Sequence, residues 1–207
     1  MKYLSIKPLA VIFMLGLAVG CSILPESEPV QTLDPAIPAP DSAAQEAGWS
    51  LSVTRPESDP MRDSTRILVR TAQGRLQVHA SARWTAAAPD LLRTLLIRHL
   101  RDAGRLEQVS ASAAGLDRTL ALDLRRFELD DTGADRLAVE IRLEARLYDS
   151  RSADLVARRL FEARSPIKDA GPDQIIEGFE VALGEILPAL SAWIIERGTV
   201  ANQSAED

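Results

Sequence analysis

From Leu137 to Leu147 the chain alternates: Leu137, Val139, Ile141, Leu143, Ala145 and Leu147 stand against Glu140, Arg142, Glu144 and Arg146. A period of two held this long specifies a β-strand with one face in a core and the other wet or facing a partner. Its neighbours in sequence share that character. Upstream, Leu120, Leu122 and Leu124 alternate with Ala121 and Asp123, and then the phase slips. Arg125 and Arg126 are adjacent, and Phe127 and Leu129 continue at the other parity. A bulge near Arg125 re-aims a strand in this way. Asp130 to Asp135 reads as a turn, Asp149 to Asp154 as another, and Leu155 to Ala163 as the returning strand. Charged cross-strand pairs on the wet face are expected to support register at about 0.2–1 kcal/mol each.

The remaining elements surround these three. Trp49-Ser50-Leu51-Ser52-Val53 alternates as a half-buried strand does, and Thr54 to Thr65 is a polar loop with Pro56 and Pro60. Arg66 to Arg70 and Leu76 to Ala80 flank a Gln73-Gly74 turn and form a hairpin. Pro89 opens a helix, where its missing N–H costs nothing, and Gly104 ends it. On that helix Leu92, Leu95, Leu96, His99 and Ala103 share one face, with Arg93, Arg98 and Arg101 away from it. Leu106 to Val109 is a short strand candidate. Pro172 to Arg197 carries an apolar stripe from Ile175 to Ile194 and reads as a long amphipathic helix, kinked at Pro188. Gly198 and a polar tail, 199–207, follow. The expected fold class is α/β, a layered domain with a mixed five- to seven-stranded sheet and two main helices, spanning 49–198. With aromatics at 4% of the chain, Leu, Val, Ile and Ala must build most of its core.

The amino-terminal part is of another kind. Leu9 to Val19 is an uncharged apolar run behind Lys2 and Lys7, closing on small residues. This is the form of a secretory signal, assigned to residues 1–20. The small residues lead straight into Cys21, the only cysteine, which resembles the lipidated first residue of a bacterial lipoprotein, although Ala18 stands where that motif usually has Leu. Three other readings compete. A transmembrane helix needs about 20 apolar residues, more than this run supplies. A soluble secreted protein has no reason to keep Cys21, and a structural cysteine fits poorly at the edge of a polar, Pro-rich stretch. Residues 21–48 then form the lipidated Cys21 and a tether, interrupted by Pro25, Pro29, Pro35, Pro38 and Pro40. If all of 22–48 were extended, it would reach on the order of 80 Å. Val30-Gln31-Thr32-Leu33 is the one piece of it able to add a short strand.

Charge excludes one class of partner. The formal net charge is −6, and beyond the signal segment only residues 55–106 are basic, with ten Arg against five acids. An acidic whole with a mildly basic middle argues against nucleic acid. The Arg excess reads either as an ordinary solvated surface or as a face for a partner protein or anionic lipid head groups. Chemistry is sparse. His79 on a strand and His99 on a helix lack Cys or acid neighbours at ligand spacing, whereas a zinc site needs three or four ligands. Asp130, Asp131 and Asp135 around Gly133 loosely suggest a Ca²⁺ loop, but the EF-hand spacing and its closing Glu are missing, and a solvated turn fits better. No phosphate-binding Gly loop, G-x-S-x-G or paired nucleophile and base is present. The domain reads as non-enzymatic, with no cofactor, no metal and no catalytic residue.

Several short segments, in order, carry a family resemblance: Leu51-x-Val53-x-x-Pro56, Asp63-Ser64-Thr65-Arg66-Ile67, Gly74-Arg75-Leu76, Ala82-Arg83-Trp84, Ala88-Pro89-Asp90-Leu91-Leu92, and Leu120-x-Leu122 leading to Phe127-Glu128. With the final strand pair and closing helix, most of 49–197 resembles the ABC-type transport auxiliary lipoprotein family, which includes the periplasmic lipoprotein of the paraquat-inducible Pqi system. The resemblance implies a fold like the amino-terminal domain of TolB. It also implies a periplasmic accessory that works beside an Mce-domain protein and ABC transporter subunits moving lipids or other hydrophobic substrates. A homo-oligomer is within what it implies. Ser22 after Cys21, in place of Asp, favours anchoring at the periplasmic face of the outer membrane over the inner membrane. Cys21→Ser is expected to move the protein from the membrane fraction to the soluble periplasm, or to stall its processing. Unchanged acyl labelling and membrane association in that variant would refute lipidation.

Overall fold

A computed structural model describes residues 29–37, 39–40, 47–112, 115–133 and 137–206, with side chains to residue 200. The signal segment and Cys21 lie outside the described residues. Eight strands and two helices follow in the order β1 (Gln31–Leu33), β2 (Ser50–Val53), β3 (Arg66–Thr71), β4 (Leu76–Trp84), α1 (Ala88–Ala103), β5 (Gln108–Ser110), β6 (Arg118–Asp131), β7 (Ala138–Asp149), β8 (Leu155–Pro166) and α2 (Pro172–Glu206). The fold is mixed α/β, with one sheet. The members beyond the longer strands are β1 and β5, of three residues each.

The sheet is built around β6. On one edge it pairs antiparallel with β7 along nearly its whole length, and β7 pairs antiparallel with β8. On its other edge, β2 runs parallel beside Arg118–Leu120 and β3 runs parallel beside Glu128–Asp131. The interval between them is filled by the loop. Glu57 N–H donates to Leu122 O and Leu124 N–H donates to Glu57 O, both at 2.8 Å. β2, Glu57 and β3 thus act as one interrupted strand. Outside them, β2 pairs parallel with β5, β3 pairs antiparallel with β4, and β4 pairs parallel with β1. The slip at Arg125 is seen in the β6–β7 register, which shifts between Leu124 and Arg126. The bulge keeps Leu120, Leu122, Leu124, Phe127 and Leu129 all in the core although their parity changes.

Both helices pack on that apolar face. α1 begins with Pro89 in its first turn and ends on Gly104 in the left-handed conformation, φ 62°. Leu91 and Leu100 widen its buried stripe. Three aromatic rings hold the layers together. Trp84 meets Phe127 and Phe179 edge-on, at centroid distances of 5.4 and 4.6 Å, and Phe127 meets Phe179 at 4.7 Å. Such contacts contribute about 0.5–1.5 kcal/mol each beyond their buried area. With few aromatics available, three of them converge at the junction of β4, β6 and α2.

Two expectations change. The sequence ends the closing helix near Arg197, with Gly198 as its stop, but α2 continues to Glu206 and includes Pro188 within its length. Gly198 is helical because Trp49 needs the space. A Cβ there would fall 2.2 Å from Trp49 Cζ2, and the indole N–H donates to Thr199 Oγ1 at 3.4 Å. The tether also shortens. Gln31–Leu33 lies in the sheet, Ala36 N–H donates to Glu180 Oε1 at 2.8 Å, and Ala47 N–H donates to Arg105 O at 2.7 Å. Only residues 22–30 then separate Cys21 from the domain, a span of about 30 Å at full extension.

Gly178 in α2 faces a similar constraint: a Cβ would lie 2.6 Å from Ile167 Cγ2 and 2.8 Å from Val139 Cγ2. On helix propensity alone Gly178→Ala should stabilise by about 1 kcal/mol. Overpacking against two branched side chains outweighs that, and a net loss of about 1–3 kcal/mol is expected. Urea unfolding followed by circular dichroism measures it, and a gain in stability would contradict this packing.

Candidate functional site

The face of the sheet opposite the helices carries the charged side chains of β6, β7 and β8. Directly opposite residues there are mostly alike: Asp123 faces Glu144, Arg126 faces Arg142, and Glu128 faces Glu140. Across β7–β8, Arg146 faces Arg158, whereas Glu140 faces Arg164 and Arg142 faces Glu162. Arg142 joins Glu162 directly at 2.6 Å, as expected of a cross-strand pair. Between β6 and β7 the ion pairs run elsewhere: Arg125 joins Asp123 at 2.9 Å and Glu144 at 2.5 Å, and Arg126 joins Glu140 at 2.5 Å. The charge support is thus direct across β7–β8 at Arg142 and diagonal across β6–β7. Long Arg side chains reach acids one position along, which relieves like-charge repulsion between direct partners.

One group on this face is fully buried. Glu128 is 0% exposed and lies between two guanidiniums, Arg62 from the loop after β2 and Arg70 from β3, the latter at 2.5 Å. Arg62 also pairs with Asp59, whose carboxylate accepts the Met61 N–H at 2.9 Å. The loop is thereby fastened over the sheet. Elsewhere Arg55 bridges Asp63 and Asp90, tying the same loop to α1. Arg93 donates to Val53 O at 2.9 Å, and Arg101 donates to Val109 O at 2.9 and 2.8 Å. Five of the ten arginines of the basic middle, Arg55, Arg62, Arg70, Arg93 and Arg101, thus fasten parts of the domain to one another.

The residues singled out for chemistry do not converge. His79 Nε2 lies 2.8 Å from Ala170 O and donates to it in the tautomer protonated there. His99 is 4% exposed on α1, with Nδ1 unpartnered, beside a cavity of about 350 Å³ lined also by Pro40, Arg105, Pro188 and Ser191. Burial lowers its pKa below the ordinary imidazole value, and the charge of Asp102 opposes this only in part. Asp131 is exposed and Asp135 lies outside the described residues. Burial works against ionisation of Asp130, but hydrogen bonds from Arg164 and Thr132 and the charges of Arg164 and Arg126 outweigh it and hold its carboxyl below the usual range. That carboxylate is engaged by Arg164, not turned towards a cation site. Among the described residues no group of three or more His, Cys, Asp or Glu is placed to hold a metal.

One polar contact was not anticipated. Ser50 Oγ donates to Asp117 Oδ2 at 2.6 Å, and the Ser50 amide donates to the same oxygen at 2.9 Å. These two bonds hold the Asp117 carboxyl below the ordinary range. A serine so bonded lacks a base of suitable pKa, and no hydrogen bond joins either histidine to it among the described residues. The contact instead clamps the start of β2 to the start of β6. Only the separation of 67 residues conceals it in the sequence.

Glu128→Ala leaves Arg62 buried without its main acid, and a loss of about 3–5 kcal/mol is expected in urea unfolding. Replacing Arg62 and Glu128 together by Met and Leu should cost clearly less than Glu128→Ala alone. Equal losses would show that packing, not the buried charge, sets the effect.

Among the described residues the arrangement is a set of charged and edge surfaces in which the side chains considered above do not converge. A model of the ABC-type transport auxiliary lipoprotein component family matches residues 32–190. No curated protein matches the chain. A crystal structure of a Xanthomonas campestris protein aligns at TM-score 0.77 and 32% identity, over 84% of this chain and 99% of that one. An uncharacterised protein of known structure aligns at TM-score 0.65 and 16% identity, over 81% of this chain and 99% of that one, a likeness of fold alone. The family match begins inside β1 and runs into α2, so nearly the whole sheet, α1 and the first half of α2 fall within it, and the chain belongs to the ABC-type transport auxiliary lipoprotein component family.

Proposed function

We propose that this chain is a periplasmic lipoprotein, anchored through Cys21 at the outer membrane, that serves as the accessory component of an ABC/Mce-type transporter of lipids or other hydrophobic substrates. The family match over 32–190 is the observation that carries the proposal. It supports a role beside an ABC transporter within the cell envelope. The export signal and the lone Cys21 support the anchor, and Ser22 supports the outer membrane over the inner. The short span between Cys21 and β1 holds the domain within about 30 Å of its membrane, so its partner has to meet it close to the bilayer. The domain's own contribution is recognition. Its ionisable groups serve ion pairs and backbone clamps, and the hydrophobic cargo, the Mce-domain protein and the transporter subunits belong to the partner side.

A second reading is a cell-envelope or outer-membrane assembly adaptor with no transporter. It rests on the same anchor and on the same lack of assembled chemistry among the described residues. Crosslinking in the native envelope followed by affinity purification separates the two. An ABC or Mce subunit in the crosslinked material is expected. Its absence, with outer-membrane assembly proteins captured instead, would favour the adaptor.

A further inference from the structure

β8 borders the sheet. Among the described residues it pairs only with β7, and its other edge carries backbone groups without a strand partner from Leu155 to Pro166. Edges of this length are usually blunted by bulges, prolines or inward charges. Here the register shift lies near Leu155 and the proline is the last residue, so Ala157 to Ser165 stays regular and only its charges guard it. Leu155 and Leu160 are 50% and 38% exposed along it.

The charges on this edge are incomplete. Arg158 makes no ion pair among the described residues, and its direct neighbour on β7 is another cation, Arg146. Arg146 itself turns towards Glu57 and Glu144. Glu162, two pairs further along on the same face, is bonded to Arg142, but its side chain remains 55% exposed. The edge therefore presents an unmatched cation, an apolar residue and an acid with spare acceptor capacity, as Arg158, Leu160 and Glu162.

That order is self-complementary. We propose that β8 pairs antiparallel with β8 of a second copy about a two-fold axis at Leu160, joining the two sheets into one. A two-fold perpendicular to the sheet keeps charged face with charged face, so residues of equal parity oppose one another. Centred on Leu160, the ladder sets Arg158 against the partner's Glu162, twice, and covers Leu160 with its own copy. Arg159, whose guanidinium lies 5.0 Å from the Phe161 ring centroid in its own chain, then faces the partner's Phe161. Neighbouring registers fit less well. Centring on Phe161 opposes Arg158 to Arg164, and centring on Glu162 opposes that acid to itself. Centring on Ala163 opposes Glu162 to Arg164, but Arg164 is already paired with Asp130 and Leu160 then meets Pro166.

Charge reversal tests the register. The full-length lipoprotein is purified in detergent and its protein mass followed by sedimentation across micromolar concentrations, with thermal unfolding as a check on folding. A dimer is expected. Arg158→Glu and Glu162→Arg should each weaken association on the order of tenfold or more, because each places like charges opposite one another twice. An equimolar mixture of the two variants should recover association as a mixed dimer. In it both cross-strand contacts set acid against cation, and the double reversal, Arg158→Glu with Glu162→Arg in one chain, likewise restores opposite charges at both contacts and should return the dimer. A monomer throughout, a dimer unaffected by either reversal, or a folded double reversal that stays monomeric would each overturn the proposal. Capture of an unrelated extended peptide by a monomeric protein would assign the edge to that partner instead.

Discussion

The fourteen residues of β6 carry backbone donors and acceptors on two edges, and inside a sheet nearly all of these need partners. β7 meets that demand on one side with a matching hairpin strand. The other side has no single strand long enough, and the chain solves the problem in pieces: β2, then Glu57, then β3. The remaining architecture follows from this division. Because β2 and β3 both run parallel to β6, the chain between β3 and β6 must cross back. It does so through β4 and α1, which puts that helix on the apolar face. Because the residues after Val53 leave the edge and return, a loop is left over the charged face and has to be held there.

That fastening explains the fully buried carboxylate of Glu128. Glu128 belongs to the face that elsewhere is wet, but the loop covers it, and a covered acid needs compensation. Arg62 comes from the covering loop and Arg70 from the adjoining strand, so the ions that neutralise Glu128 are those whose positions it fixes. Taken alone, such a triad adds little net stability. Its effect is on specificity: the loop can sit in one place only. Arg55 with Asp63 and Asp90 repeats the arrangement at the surface, where solvent screening makes each pair weaker.

How far the sequence reveals this depends on whether a signal is local. The bulge at Arg125 was legible because two adjacent charged residues break a period of two, and no other element explains that break. The ends of α1 were legible because Pro89 and Gly104 act on their own backbone. Gly198 was not, because the same residue serves to stop a helix or to admit a neighbour, and the neighbour, Trp49, lies at the opposite end of the domain's sequence. β1 reads poorly for a related reason. Three residues flanked by prolines carry almost no periodicity, and their strand character comes from the end of β4, which offers Ala82 to Trp84 for pairing. The Ser50–Asp117 clamp and the Arg62–Glu128 pair likewise join segments whose composition is ordinary. The chemistry considered for the histidines and the Asp130 turn failed to assemble because each side chain has a nearer structural partner or none.

A domain of this kind contributes surfaces, and their value depends on where they are held. Several of its arginines, Arg62, Arg70, Arg93 and Arg101 among them, are held by carbonyls and carboxylates of the domain itself. What stays available is more directional: an open strand edge with a fixed order of charge and apolar groups. A backbone edge recognises any extended segment weakly, and side-chain order then selects among them. If the domain is held near a membrane as proposed, its restriction to a thin layer raises the effective concentration of every such contact. On that proposal, weak edge contacts suffice for assembly at that surface without a deep pocket or a large apolar patch.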